Sequence, residues 1–382
     1  MQIIISVPGR FHAFYLANQL FKREYLKKLI TSYPKFETIK YGIPKDKIIS
    51  IIIKEIINRG WRKLPVSVKN FYNPQYFISE LYDKLVTQKL TSCDIFIGWA
   101  GFSLHSLRKA KELGAITILE RGSSHMLYQQ EILNQEYERF GLKNKKTHPR
   151  IINKELQEYK EADYISIPSQ FVKKTFLERG IPENKLIHIP YGVDLNGFIK
   201  VPKTDDIFRI ITVGGNLQKG THYLLQAFSE LNLPNSELIG LGNLSDEMLP
   251  FLKKYDNGKI NWVGHKPQKE LYKYYSQGLI YIHSSIQEGI ALVQLQAMAC
   301  GLPLICTTNT GGQDLIEDGK EGFIIPIRDV KALKEKILYF YENPGKCREM
   351  GQAAKRKVQQ GFTWNDYGEK IIEKYKEILN SK

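Results

Sequence analysis

An acid followed by glycine, Glu288-Gly289, stands between an apolar run, Leu279 to Ile282, and a segment of helical composition, Ala291 to Cys300. The apolar run reads as a buried strand. Gly301 and Pro303 stop the helix, and a second apolar run, Leu304 to Cys306, follows it. This order places the Glu288 carboxylate at the carboxyl end of a strand, beside a helix N-terminus. Unbonded N–H groups there, from Gly289, Ile290, Ala291, Leu292 and Val293, suit a phosphate, and a carboxylate nearby can hold hydroxyls. A nucleotide sugar carries both groups. A Glu-Gly pair taken alone reads equally as the turn of an ordinary strand–helix unit.

Three other loops have comparable chemistry. Val213-Gly214-Gly215-Asn216-Leu217-Gln218-Lys219-Gly220 follows a strand and opens a helix. Glycine lets the backbone approach a phosphate and Lys219 adds a point charge; a structural turn with a solvated lysine is the plainer alternative. Pro8-Gly9-Arg10-Phe11-His12 follows the first strand, at the end of an α/β sheet where ligands bind. Glu120-Arg121-Gly122-Ser123-Ser124-His125 ends another strand, with Arg121 free to pair with a phosphate or with Glu120.

The stretch from His283 to Pro303 resembles the donor-site signature of retaining glycosyltransferases of family 4. That signature usually reads Glu-Gly-Phe-Gly-Leu-x-x-x-Glu, then Ala-Met-Ala-x-Gly-x-Pro. Glu288 matches the first acid, but position 296 is Gln where the second acid stands. The resemblance implies that Glu288 contacts the donor sugar and that residue 296 binds the nucleotide ribose. Gln296 keeps the hydrogen bonds and loses the charge. The Gly214–Gly220 loop looks like the family's Gly-Arg-x…Lys-Gly element, whose cations clamp the donor diphosphate. Lys219 matches; Gly215 and Asn216 stand where the arginine is missing.

By the same resemblance, Gly9 lies under the donor phosphates, and Arg10 or His12 meets the acceptor. His12 reads also as an ordinary helix-start residue. His125 matches a histidine that the family places close to the transferred sugar. Ile189-Pro190-Tyr191-Gly192-Val193-Asp194 is similar to the family's Asn-Gly-Val-Asp element, with Tyr191 for the usual Asn, and reads as a hinge turn. Asp314 and Glu317, after Gly311-Gly312, read as solvated residues of a short helix.

The elements that hold these loops alternate between apolar strands and amphipathic helices. Strands are predicted at Ile3–Val7, Ile95–Trp99, Ile116–Leu119, Tyr164–Ile167 and Leu186–Ile189. A second set covers Ile210–Val213, Glu237–Gly240, Ile260–Val263, Ile280–His283, Leu304–Cys306 and Gly322–Ile325. Such alternation means α/β architecture with parallel sheets covered on both faces. The polar segment from Leu195 to Asp206 reads as a linker. The resemblance implies two facing Rossmann-like domains, the GT-B architecture. They are an acceptor-side domain over 1–195 and a donor-binding domain over 206–363, with a last helix in 364–382 crossing back to the first. Thr363, with Asp366 three residues on, is the predicted cap of that helix. Ile48 to Ile57 fits a helix or a strand. The aromatic segment Trp61 to Phe77, with Phe71 and Tyr72, reads as an irregular acceptor-side insertion.

With 382 residues, 42% of them hydrophobic, the chain can bury two cores. Four cysteines without CxxC spacing argue against a disulfide framework or a zinc site, and fit a reducing cytosol. No acid or His/Cys cluster has metal-ligand spacing, so no metal is expected. No charged region precedes the first strand, and no apolar run approaches the length of a membrane span. The net charge is +15. Residues 1–111 hold 19 Lys+Arg against 7 Asp+Glu, an excess of +12, whereas the rest is near balance. That region either faces an anionic membrane or an acidic acceptor, or is simply a solvated lysine-rich face. No nucleic-acid motif accompanies it.

The resemblance thus implies a retaining glycosyltransferase without a prosthetic group. Its donor is a UDP-, GDP- or ADP-sugar, and its acceptor a carbohydrate, a lipid-linked glycan or a small molecule, in cell-surface polysaccharide or related synthesis. The expected location is the cytoplasm, with peripheral contact at the inner membrane face. Gln296 and the missing arginine keep open a catalytically silent sugar-nucleotide-binding protein; an epimerase or phosphorylase on the same scaffold is the other alternative.

Overall fold

The computed structural model describes residues 1–64, 73–144 and 147–381. Thirteen strands form two all-parallel sheets among these residues. The first contains β1 (Ile3–Val7), β2 (Leu26–Thr31), β3 (Ile48–Ser50), β4 (Ile95–Trp99), β5 (Ile116–Glu120), β6 (Tyr164–Ile167) and β7 (Leu186–His188), in the order 3-2-1-4-5-6-7. The second contains β8 (Phe208–Gly215), β9 (Ser236–Leu244), β10 (Ile260–Gly264), β11 (Ile280–His283), β12 (Leu304–Thr307) and β13 (Gly322–Ile325), in the order 10-9-8-11-12-13. Every residue of β1, β4 and β5 is buried, as expected for strands covered on both faces.

In each sheet the chain reverses its direction of travel once, between β1 and β4 and between β8 and β11. Such a switch point opens a crevice at the carboxyl ends of the two flanking strands. The loops singled out above lie there: Pro8–His12 after β1, Gly214–Gly220 at the end of β8 and Ser284–Gly289 after β11.

The predicted strands all form, with ends moved by a few residues. β2 and β3 are additions. Lys27 and Lys28 interrupt the apolar run of β2 and mask it, because their side chains sit half-buried at the sheet face. The ambiguous segment from Ile48 resolves into both alternatives, strand β3 followed by the helix Ile53–Lys63. Phe71 and Tyr72 lie outside the described residues.

The last helix, Trp364–Asn380, opens with the predicted capping box. Thr363 Oγ1 accepts the Asp366 N–H at 3.1 Å, and the Asp366 carboxylate accepts the Thr363 N–H at 2.8 Å. Its buried face, including Tyr367, Ile371, Tyr375 and Ile378, packs on the first sheet's side of the molecule. There Trp364 stacks on Tyr15 at 4.2 Å, and Gly368 admits Gln19, which a Cβ would strike. The connection from β7 to β8 is pinned to this helix start. Val193 donates its N–H to Phe362 O at 2.8 Å, and a Cβ on Gly192 would overlap the Thr363 backbone.

Candidate active site

Sequence and topology bring Lys219 and Glu288 together. Gly214 (φ +96°) and Gly220 (φ +61°) allow the β8 loop to turn tightly, and Asn216 Oδ1 accepts the Lys219 N–H at 2.9 Å. The two switch-point loops are then cross-linked. Ser284 Oγ donates to the Lys219 and Gly220 carbonyls, 3.1 Å from each, and Ile286 N–H donates to Gln218 O at 2.8 Å. Asn309 O accepts the Glu288 N–H at 2.8 Å. The result is a close ion pair between Lys219 Nζ and Glu288 Oε2, with both side chains about three-quarters buried. Behind it His283 is buried, and burial and then the Lys219 charge hold its pKa well below the usual range, so it stays neutral.

The helix Leu292–Ala299 starts beside this pair. Its cap residue, Ala291, has no side-chain acceptor to offer, so no side chain at position 291 caps the first-turn N–H groups. Gln296, one turn further, is buried. Its Oε1 accepts from Tyr275 Oη at 3.4 Å, and its Nε2 has no partner among the described residues.

A cleft of about 350 Å³ lies between the two sheets, and of Lys219, Glu288 and Gln296 only Glu288 lines it. Glu288, Ile290 and Leu292 line it from the second domain; Phe11, His12, Trp99, Glu120, Ser123 and Tyr191 are among its residues on the other side. A slightly larger hollow, about 390 Å³, lies near Phe208, Asn235 and Leu279. That is the amino-terminal end of the second sheet, the wrong end for a ligand of an α/β sheet.

Several expected residues sit otherwise. The His125 ring lies in the first domain's core against Tyr159 and Phe176, and its Nδ1 accepts the Leu127 N–H at 3.3 Å as a helix cap. It does not line the cleft. Burial, reinforced by Arg121, pushes its pKa down to about 4. Arg121 reaches the cleft wall, but its guanidinium is spent on Glu155 (3.2 Å), Ser124 O and Gln129, not on Glu120 or an open phosphate site. Arg10 turns outward and donates to Tyr41 Oη at 3.1 Å. Gly9 packs under the Phe11 ring, which a Cβ would meet at 2.8 Å. At Gly289 the two domains approach closely: a Cβ would overlap Gly122 O, and Ser169 Oγ donates to its carbonyl at 3.0 Å. Asp314, expected in solvent, is buried between the domains, where it pairs with His188 at 2.8 Å and accepts the Gln170 N–H at 2.9 Å. Glu317 is exposed.

Sequence reading missed Phe11, Trp99, Glu120 and Gln287. Gln287 Oε1 bridges the domains by accepting from Ser123 Oγ (3.2 Å) and Ser124 Oγ (2.9 Å). One group with metal-like spacing exists among the described residues: Glu80, Asp83 and His105. Lys154 Nζ sits among its carboxylates, 2.8 Å from Glu80 and 3.0 Å from Asp83, so a buried ammonium supplies the positive charge there.

Comparison with known proteins agrees with this fold. The fold is that of two-domain GT-B glycosyltransferases. Sucrose-phosphate synthase from Thermosynechococcus elongatus superposes over 100% of both chains with a TM-score of 0.74 at 16% identity. Anabaena Alr3699/HepE, solved in complex with UDP-glucose, does so over 100% of both chains with a TM-score of 0.69 at 14% identity. Residues 198–357 match the family described as "Glycosyl transferases group 1". An uncharacterized glycosyltransferase of Methanocaldococcus jannaschii, MJ1069, is 23% identical over 235 residues, 58% of this chain and 59% of that protein. The chain thus spans well under two thirds of the length of that relative.

Proposed function

We propose that the protein transfers a sugar, with retention of anomeric configuration, from a nucleotide-diphosphate sugar to an acceptor hydroxyl. The observation that carries this reading is the convergence of Lys219 and Glu288 at the second sheet's switch point, beside a helix N-terminus without a side-chain cap. Lys219 and the N–H groups of Ala291 to Val293 stabilise the leaving diphosphate, in a site partly closed to water where such charge stabilisation is strong. Glu288 holds sugar hydroxyls, and Gln296 Nε2 donates to the ribose. Gly214, Gly215 and Asn216 shape the diphosphate loop. Binding of a donor must break the Lys219–Glu288 ion pair and give each side chain a new partner, one on phosphate and one on hydroxyls. The likeness to a fold solved with UDP-glucose supports a nucleotide-sugar ligand, and retention rests on the family 4 resemblance.

The domains of this reading are 1–195 with the terminal helix, and 206–363. A thermal-shift screen against UDP-, GDP- and ADP-sugars tests it, because a ligand that binds only the folded state raises the melting temperature. At least one donor is expected to do so, and no shift with any of them contradicts the reading. The second reading, a silent sugar-nucleotide-binding protein, is motivated by Gln296 and by the absence of a loop arginine. It predicts a shift without turnover.

We further propose that the acceptor-side domain works at an anionic membrane face. Phe36, Ile39, Ile52, Ile53 and Ile56 are exposed on or beside the helices Lys35–Ile39 and Ile53–Lys63, which flank β3. Lys40, Arg59 and Lys63 are exposed among them. Apolar side chains ringed by cations suit the interface of an anionic bilayer. No described helix is long and apolar enough to cross a membrane. A lipid-linked or glycoconjugate acceptor and a cytoplasmic location fit this placement.

A further inference from the structure

The acceptor side of the cleft contains a pair that the donor chemistry does not use. His12 Nε2 lies 3.2 Å from Glu120 Oε2, both side chains being almost fully buried. A carboxylate only accepts, so Nε2 carries the proton and Nδ1 is the basic nitrogen. Nδ1 has no partner among the described residues, and His12 lines the same cavity as Glu288. The ring cannot easily turn away. It stacks on Tyr191 at 4.1 Å, tilts against Trp99 at 5.2 Å and meets the edge of Tyr367 at 6.2 Å. The loop that carries it is under strain: Phe11, the preceding residue, has φ +41° and is 60% exposed, stacked over Trp99 at 6.4 Å. Strain of this kind in a non-glycine residue is found at functional sites.

We propose that His12 Nδ1 takes the proton of the acceptor hydroxyl and that Glu120 is its positioning residue. Phe11 and Trp99 would offer the aromatic face on which a sugar ring packs. The inference rests on the transferase reading above. As the acceptor oxygen bonds to the anomeric carbon, its O–H proton passes to Nδ1. The bond from that carbon to the diphosphate oxygen breaks, and its electron pair leaves with the diphosphate. The imidazolium is held by Glu120 until its proton returns to solvent. Glu120 Oε2 bonds His12 and Oε1 is buried without a partner, so this carboxylate holds the ring in the tautomer that leaves Nδ1 unprotonated. The other charged and titratable groups around the ring are Arg121 from the end of β5, Tyr191 from the interdomain connection, Tyr367 and Tyr375 from the last helix, and Glu288 across the cleft. Arg121 is already paired with Glu155.

The test uses the full chain with UDP-glucose, GDP-mannose and ADP-glucose, reading nucleotide release with water or a p-nitrophenyl glycoside as acceptor. His12→Ala is expected to slow release about 100-fold or more, the usual contribution of a positioned base, with the donor-induced thermal shift unchanged. Added imidazole restores part of the rate. Glu120→Gln is expected to lower kcat with little change in KM, because an amide can also donate to Nε2 and no longer fixes the tautomer. Wild-type rate in His12→Ala overturns the inference and leaves the transferase reading standing. So does a loss without imidazole rescue together with an unchanged kcat in Glu120→Gln. No turnover of any donor by the wild type overturns both.

Discussion

Gln296 is the residue at which this chain departs most plainly from the pattern it resembles, and its surroundings show what the change leaves intact. Oε1 is held by Tyr275, so the amide is oriented, and Nε2 is left as the donor. Gln296→Ala is expected to weaken nucleotide binding by about 1–2 kcal/mol, the cost of one or two hydrogen bonds, when titrated calorimetrically. Gln296→Glu should bind within about threefold of wild type, since an acid accepts from both Tyr275 and a ribose hydroxyl. Unchanged affinity in the Ala variant would reduce position 296 to packing. Residue identity alone singled out Lys219 and Glu288, which the fold then pairs, because each stands in a short local pattern. It did not reveal the fate of Arg121, whose partner Glu155 is supplied by a helix, Pro149–Glu161, that no local pattern relates to it.

At the scale of elements, His125 illustrates how a loop residue becomes structural. It caps the helix Met126–Arg139, which then runs across to the second domain. There Glu136 accepts from His222 at 2.9 Å and from Arg328 at 2.6 Å. Burial alone would raise the Glu136 carboxyl, but these two partners hold it below the usual range. The His125 pKa is depressed from 6.5 to about 4, so its contribution to stability is complete above about pH 6.5 and is lost as pH falls toward 4. The loss is at most about 3 kcal/mol. His125→Asn keeps an acceptor for the Leu127 N–H and removes this titration. Between pH 6.5 and 4 its melting temperature should therefore fall less than that of wild type, and parallel curves would show that the ring titrates normally. Strands were legible because apolar runs bounded by turns are local. The acceptor-side wall was not, because Phe11, Trp99, Glu120 and Tyr191 come from four separate strand ends and meet only through the 3-2-1-4-5-6-7 order.

For the whole molecule, charge and shape divide the work between the two halves. The +12 excess of residues 1–111 shares its domain with the exposed apolar side chains near β3, whereas the donor half is near balance. Binding to anionic vesicles should fall steeply as salt rises, since exposed charges are screened over about 8–10 Å at physiological ionic strength. Ile53→Glu with Ile56→Glu should weaken it further while leaving the donor-induced thermal shift intact. Absence of vesicle binding at low salt would point to a soluble acceptor. The two halves meet through Gln287, Gly289, Asp314 and Glu136.

The most direct measurement is nucleotide-diphosphate release from the donor that the thermal screen selects, by wild type and by Glu288→Gln. Glu288 is only partly buried and bonds one flexible lysine, so the variant should fold and melt as wild type does. The account predicts release by the wild type and loss of most turnover, about 100-fold or more, in Glu288→Gln. Turnover near the wild-type level in the folded variant would remove Glu288 from the site and contradict the account.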